Sequence, residues 1–126
     1  MRFMMFMIPN IPQEGDWTPS AEAVSAMSKY NDELAEAGVL LSLDGLHPPS
    51  KGAQVSFAGG TPTVTDGPFS EAKEVIGGYW LIDVGSKDEA VEWATRCPAD
   101  DANVIEVRQV FEAEDFPPDV RAAAGL

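Results

Sequence analysis

Six successive apolar residues near the N-terminus, Phe3 to Ile8, constrain the fold of this 126-residue chain more than any other stretch. A half-buried strand alternates apolar and polar side chains, whereas a strand covered on both faces is apolar throughout. The stretch is far shorter than the ~20 apolar residues of a membrane span, and it lacks the small-residue cleavage site of a signal peptide. We therefore predict a strand in the middle of a sheet, with both of its faces covered.

A helix is predicted after this strand. Thr18 suits the N-cap, Pro19 suits the first helical position, and Gly38 supplies the stop. Apolar residues recur between these limits at spacings of three and four, which is the pattern of a core-facing stripe. The stripe comprises Ala23, Met27, Tyr30, Leu34 and Ala37. Such a helix would cover one face of the sheet.

The rest of the chain repeats the alternation of strands and helices. The predicted strands lie at 39–43, 79–84 and 104–110, and a hairpin is predicted at 54–57 and 61–65. A second helix is predicted to begin at a capping box formed by Ser86 and Glu89. Its core-facing stripe comprises Ala90, Val91, Ala94 and Cys97. Two β-α-β halves of this kind predict an α+β, ferredoxin-like sandwich, in which an antiparallel sheet carries two helices on one face, with an inserted β-hairpin. We expect one domain over residues 1–111, followed by an acidic, proline-containing tail at 112–126 that is poorly ordered unless a partner chain holds it.

The charge balance argues against two classes of partner. The chain carries 21 Asp and Glu against 8 Lys and Arg, a formal net charge of −13. Affinity for nucleic acid rests on clustered Lys and Arg, and anionic membrane surfaces repel an acidic protein for the same reason. We therefore expect neither nucleic acid nor a membrane as a partner.

A single cysteine and a single histidine limit the covalent and metal chemistry. Cys97 has no second cysteine to pair with, and His47 and Cys97 are too few for a Cys/His zinc site. We expect a cytoplasmic location, no metal and no cofactor. Cys97 lies near the end of a predicted helix, where the dipole does not favour a thiolate, and is assigned to the core.

Residues Thr65 to Glu74 combine backbone-shaping and ionisable residues between two strand-like stretches. Gly67 permits backbone angles that other residues avoid, and Pro68 fixes its own φ, so the run has the chemistry of a turn. Asp66 has two interpretations. Beside a partly buried cleft its carboxylate can act as a general base, whereas in an Asx turn it only shapes the loop.

Five further side chains are candidates for a site. His47 can exchange protons near neutral pH, or it can be a solvent-facing loop residue. Glu71 and Lys73 can orient a polar ligand, with Lys73 contacting an anion, or they can pair with neighbouring charges on the surface. Phe69 and Tyr79 are candidate ligand contacts, and packing in the core or in a dimer interface is the alternative for Tyr79.

These residues resemble a known family. The run Val64–Phe69, with Glu71, Lys73–Glu74 and Gly77–Tyr79, resembles the DGPF branch of the YCII-related proteins. Further blocks match in the same order: Gly38–Leu40, Gly45–Leu46, Asp83–Val84, Asp88–Ala90, Glu92–Ala94, Arg96–Pro98 and Glu106–Arg108. The resemblance therefore covers nearly the whole chain.

The resemblance implies a ferredoxin-like fold that pairs into a dimer of the dimeric α/β-barrel type, with a cleft in each subunit. Related YCII proteins are proposed to use a His and Asp pair for acid-base chemistry on small cyclic or aromatic compounds, and DGPF proteins are often associated with extracytoplasmic-function sigma factors. In the YCII-type enzymes the histidine is expected on the first helix. This chain has none between Thr18 and Gly38, and His47 instead follows the second strand.

Two functional hypotheses follow. The first is a homodimer that binds a small organic ligand and carries out cofactor-independent acid-base chemistry in a cleft beside the Asp-Gly-Pro-Phe loop. Asp66 and His47 would be its catalytic groups, and Phe69, Glu71, Lys73 and Tyr79 its ligand contacts. The alternative is a non-catalytic accessory protein that acts with a sigma factor through its acidic surface and tail. The sequence leaves open whether the protein is an enzyme or a purely structural dimer.

Overall fold

The structure, a computed structural model, describes residues 1–13, 15, 17–69 and 75–126. Its regular elements are β1 (Arg2–Ile8), α1 (Ala21–Glu36), β2 (Leu40–Gly45), β3 (Ala53–Ser56), β4 (Thr63–Asp66), β5 (Gly78–Asp83), α2 (Lys87–Thr95), β6 (Val104–Gln109) and α3 (Pro118–Ala124). The predicted order of strands and helices is confirmed, and α3 is an addition to it.

The main sheet has four strands in the order β2-β5-β1-β6, and every neighbouring pair is antiparallel. β1 lies in the interior of the sheet, as its unbroken apolar sequence predicts. β3 and β4 form a separate two-stranded sheet inserted between β2 and β5. Together with α1 and α2, this arrangement confirms the predicted α+β, ferredoxin-like fold with an inserted hairpin.

The hydrophobic core lies between α1, α2 and the inner face of the sheet. Phe3 and Met5 on β1 alternate with less buried neighbours, and they meet Leu34 of α1, which is fully buried. The polar group of a core aromatic residue is satisfied here, as a buried donor requires. The Tyr30 hydroxyl donates to the Trp93 carbonyl at 2.7 Å, and its ring meets the edge of Trp80. Burial of these side chains fixes both helices on one face.

The start of α1 lies two residues later than predicted. Ser20 is the N-cap, and its hydroxyl oxygen accepts a hydrogen bond from the Ala23 N–H at 3.1 Å. Thr18 lies outside the helix, so the prediction of Thr18 as N-cap was wrong. Ala23 and Ala37, at the two ends of the predicted stripe, are exposed, and the buried residues of the helix are Tyr30 and Leu34.

The capping box of α2 is confirmed in part. The Ser86 hydroxyl accepts from the Glu89 N–H at 3.1 Å, but the Glu89 carboxylate accepts from Gly85, one residue before the cap. The predicted stripe needs one correction. Val91 is exposed, and Trp93 takes its place in the core.

Neither α1 nor α2 packs on the outer face of the sheet, because both contribute to the core on the inner face. Met4 and Leu81 are directly opposite each other on this face, and both are partly exposed. Glu106 and Arg108 share the same face and form an ion pair at 3.5 Å. The prediction that both sheet faces are covered is therefore met on only one side within a single chain.

The C-terminal segment, predicted as a poorly ordered tail, contains the helix α3. Proline in the first turn and Gly125 at the C-cap, with a positive φ of 75°, are suitable residues for its two ends. Phe111 stacks on Phe116 with ring centroids 5.0 Å apart, and Glu112 pairs with Arg2 at 2.7 Å. Within the described ranges, no helix is both long and apolar enough to cross a membrane.

Candidate functional site

The segment that follows β2 is fixed to the sheet edge where β1 ends and β5 begins. The Leu46 N–H donates to the Gly77 carbonyl at 2.9 Å, and the Gly77 N–H donates to the Met7 carbonyl at 2.7 Å. A Cβ atom at Gly77 would lie 3.0 Å from the Pro9 ring, so glycine is what allows these backbones to approach so closely. His47 follows Leu46 directly and is therefore held at this edge.

The Asp-Gly-Pro-Phe loop packs against the same segment. The Gly67 N–H donates to the Gly52 carbonyl at 2.9 Å, just beyond the Asp66–Ala53 pair that ends the hairpin. A Cβ atom on Gly67 would overlap the carbonyl oxygen of Pro49. Only glycine fits this contact, and the Gly67–Pro68 peptide bond that follows it is cis. The motif thus brings its own backbone against the chain that carries His47.

A side-chain amide joins this loop to the connection between β1 and α1. Gln13 Nε2 donates to the Phe69 carbonyl at 2.7 Å, and the Phe69 N–H donates to Gln13 Oε1 at 2.7 Å. The Gln13 amide thereby forms the two hydrogen bonds to the Phe69 backbone that a neighbouring β-strand would form. We call this pair of bonds the Gln13 clamp.

Three adjoining cavities of about 390, 370 and 410 Å³ meet at His47. Leu46 and His47 line all three, Lys51 lines the first two, Phe69 lines the first, and Trp17 lines the other two. We call the space between these five residues the His47 cleft. Each volume falls in the range of about 300–1,000 Å³ that is typical of small-molecule sites.

The structure brings together two of the six predicted site residues, His47 and Phe69. Asp66 lies at the exposed end of β4, does not line the three cavities, and shares no hydrogen bond or ion pair with His47 in the described part of the chain. Tyr79 is on the outer sheet face, where its hydroxyl donates to Asp44 Oδ2 at 3.1 Å. Glu71 and Lys73 lie outside the described residues.

Cys97 is not suited to nucleophilic chemistry. The side chain is half-buried beside the core, and burial raises the pKa of its thiol to about 11. The thiol is therefore protonated at neutral pH, in agreement with its predicted structural role. Among the residues that the structure describes, no cluster of three or more His, Cys, Asp and Glu could hold a metal ion.

Comparison with known proteins decides the family. A model of the YCII-related domain matches residues 1–114, which is nearly the whole chain. The chain belongs to the YCII-related family. The YCII-related domain is also 38% identical over 68 residues to an uncharacterized protein of Rhizobium meliloti (strain 1021), a match that covers 54% of this chain and 55% of that protein. The comparison thus spans about half the length of this relative.

Three residues at or beside this site of the YCII-related domain had only weak signals in the sequence. Gln13 and Trp17 stand in an irregular connection without periodicity, and an isolated tryptophan in such a connection was the available signal. Lys51 ends a 3₁₀ turn, Pro49–Lys51, next to His47. Pro48 and Pro49 precede Lys51 by three and two residues, and each proline fixes its own φ, which was the signal for a restrained turn there.

Proposed function

We propose that this YCII-related domain binds a small organic molecule in the His47 cleft and exchanges a proton with it through His47. The observation that carries the proposal is the convergence of three cavities on the chain's single histidine. Pockets that bind small molecules are mostly apolar, with a few polar groups that fix orientation. Trp17, Phe69 and Leu46 supply apolar surface here, and His47 supplies an imidazole that can act as a general acid or base.

The position of the histidine supports this role. Its backbone follows the Leu46–Gly77 hydrogen bond, so the imidazole starts from a fixed point, while its own side chain is exposed and open to a ligand. Asp66 remains a second candidate acid-base group, since a short rearrangement of the hairpin end or a second copy of the chain could bring a carboxylate towards the cleft. Glu71, Lys73 and Tyr79 remain proposed ligand contacts.

We further propose that the domain works as a homodimer, because the outer face of its sheet carries partly exposed apolar side chains, such as Met4 and Leu81, that neither α1 nor α2 covers. A second copy placed on this face would supply the cover that the sequence of β1 predicts.

The experiment is a nuclear magnetic resonance titration with a panel of small phenols, cyclic ketones and cyclic acids. A single histidine gives one set of imidazole signals, so binding in the cleft is read directly from His47. Deuterium exchange from solvent into an acidic C–H of a bound compound then reports proton transfer. We expect His47→Asn to abolish this exchange while the protein remains folded, because the side chain is exposed.

Asp66→Asn, measured in the same assay, tests the second group. If no compound in the panel shifts the His47 or Trp17 signals, the ligand-binding proposal is wrong. If binding persists and His47→Asn exchanges deuterium at the wild-type rate, the acid-base role of His47 is wrong and the cleft only binds.

A second candidate function is protein binding through the C-terminal segment. Phe111 is 69% exposed although it stacks on Phe116, and an exposed aromatic pair is a common anchor at interfaces. The partner would be an extracytoplasmic-function sigma factor, with the domain as its accessory protein. Retention of such a sigma factor by the full chain, and its loss on deletion of residues after Glu112, would favour this function over the first.

A further inference from the structure

The described residues that line the His47 cleft include basic but no acidic side chains, in contrast to the composition of the whole protein. The chain has 21 acidic residues and a formal net charge of −13, yet none of the described residues that line the three cavities is Asp or Glu. The ionisable side chains in this lining are His47 and Lys51. Glu14 and Asp16, which flank the lining residue Gly15 in sequence, lie outside the described residues.

Lys51 starts from a fixed backbone. Its N–H donates to the Pro48 carbonyl at 3.0 Å, and the next N–H, of Gly52, donates to the Pro49 carbonyl at 2.9 Å. The lysine therefore sits in a closed turn four residues after His47, and both side chains line the same two cavities. A flexible ammonium on a fixed turn is suited to holding an anion at this place.

The ammonium of Lys51 forms no ion pair with any residue that the structure describes. Three of the arginines differ in this respect. Each of them pairs with a glutamate, and the pairs are Arg2–Glu112, Arg96–Glu92 and Arg108–Glu106. In a chain with an excess of carboxylates, a cavity-lining cation without an internal partner is available for an external one.

The aromatic residues on either side define the rest of the ligand. Trp17 Nε1 already donates to the Pro12 carbonyl at 2.8 Å, so the indole offers apolar surface instead of a free donor. Phe69 is partly buried, and its backbone is held by the Gln13 clamp. Rigid aromatic side chains of this kind favour a flat, apolar ring.

We propose that the ligand of the His47 cleft is a small carboxylic acid with a flat or cyclic apolar body, whose carboxylate lies between Lys51 and His47. This inference rests on the proposed function, and it adds the chemical class of the ligand. The carboxylate is the anionic partner of the Lys51 ammonium, and the ring lies against Phe69 or Trp17. Phenols and ketones without an acid group are expected to bind more weakly.

The test compares matched pairs of probes that differ in charge alone. Benzoate with benzamide, and cyclohexanecarboxylate with its amide, are titrated into the full chain while the His47 imidazole and Trp17 indole signals are followed. Trp17 is a selective reporter because Trp80 and Trp93 are buried in the core. We expect each acid to bind about two- to fivefold more tightly than its amide, the effect of one exposed charge pair.

Lys51→Met keeps the apolar stem and removes the charge, so it should abolish the preference for the acid. Lys87→Met, an exposed lysine at the start of α2, is the control and should leave the preference unchanged. If the amides bind as tightly as the acids, or if Lys51→Met behaves like Lys87→Met, the assignment to carboxylic acids is overturned while the cleft remains a binding site. If neither acids nor amides shift either signal, and the wider panel is also silent, the inference fails together with the proposed function.

Discussion

The side-chain amide of Gln13 binds the backbone of Phe69 through two hydrogen bonds of 2.7 Å, across 56 residues of sequence. This clamp ties the connection after β1 to the loop after β4. Both connections contribute to the His47 cleft, through Trp17 and Phe69 respectively. The shape of the cleft therefore depends on one residue that contributes no surface to the three cavities.

Removing the clamp should loosen the cleft. Gln13→Ala leaves the Phe69 N–H and carbonyl without their partners, and we expect a loss of ~1–3 kcal/mol of unfolding free energy. Gln13→Glu keeps the acceptor but loses the donor, so it should protect the Phe69 amide only in part. Denaturant unfolding and hydrogen exchange at Phe69 measure both effects. Gln109→Ala, at the exposed end of β6, is the control, and an effect equal to that of Gln13→Ala would contradict a specific role for the clamp.

The contact between Gly67 and Pro49 predicts a strict requirement for glycine. Gly67→Ala places a methyl group onto the Pro49 carbonyl oxygen, so the loop must move, at a cost of ~1–3 kcal/mol, and ligand binding should weaken with it. Gly45→Ala is the matched change, because a Cβ there meets open space, and it should alter stability by less than ~0.5 kcal/mol. Equal melting temperatures for the two variants would contradict the close contact between Gly67 and the Pro49 carbonyl.

Burial of Cys97 predicts that its thiol reacts slowly with alkylating reagents and that the free energy of unfolding falls at high pH. Because its pKa rises from about 9 to about 11, the folded thiol should react with iodoacetamide at pH 8 about a hundredfold more slowly than the unfolded one. The native state holds the proton more tightly than the unfolded state. Its contribution to stability is therefore complete below pH 9 and is lost as pH rises to 11.

The buried Tyr30 hydroxyl adds to this loss above its ordinary pKa of 10, since burial raises its pKa as well. Cys97→Ala should therefore flatten the fall in unfolding free energy between pH 9 and 11 only in part. Rapid alkylation of the native protein at pH 8 would place the thiol at the surface and refute the assignment.

The outer sheet face predicts self-association. Leu81 is partly exposed at the centre of this face, opposite Met4, so Leu81→Glu should disrupt a dimer by burying a carboxylate against a second copy. Sedimentation at micromolar concentration should give a dimer for the wild type and a monomer for this variant. Val91→Glu, on the exposed side of α2, should stay dimeric. A monomeric wild type would remove the proposal.

The elements of the fold were predictable because they depend on neighbours in sequence. The apolar run from Phe3 to Ile8 predicted the interior position of β1, and Ser86 predicted the start of α2 through its own hydrogen bond to Glu89. The error in α1 lies at its start, where Thr18 and Ser20 are both suitable N-cap residues by type and Ser20 is the one that caps the helix.

The candidate site was predictable only in part. His47 was identified because the chain has one histidine, and Phe69 because it belongs to the Asp-Gly-Pro-Phe run. Their common cavity was not evident from the sequence. Gln13, Trp17 and Lys51 stand in loops, where one side chain reaches its partner without any repeat that would reveal it.

Local periodicity and composition were enough to specify the order of strands and helices, the interior strand, the negative charge and the single imidazole. The tertiary structure decided which loops meet. Pairing of β3 with β4 places Gly67 against Pro49. The Gln13 clamp places Phe69 beside the connection between β1 and α1. These contacts join residues far apart in the chain and depend on the close approach of backbones, which no pattern of neighbouring residues specifies.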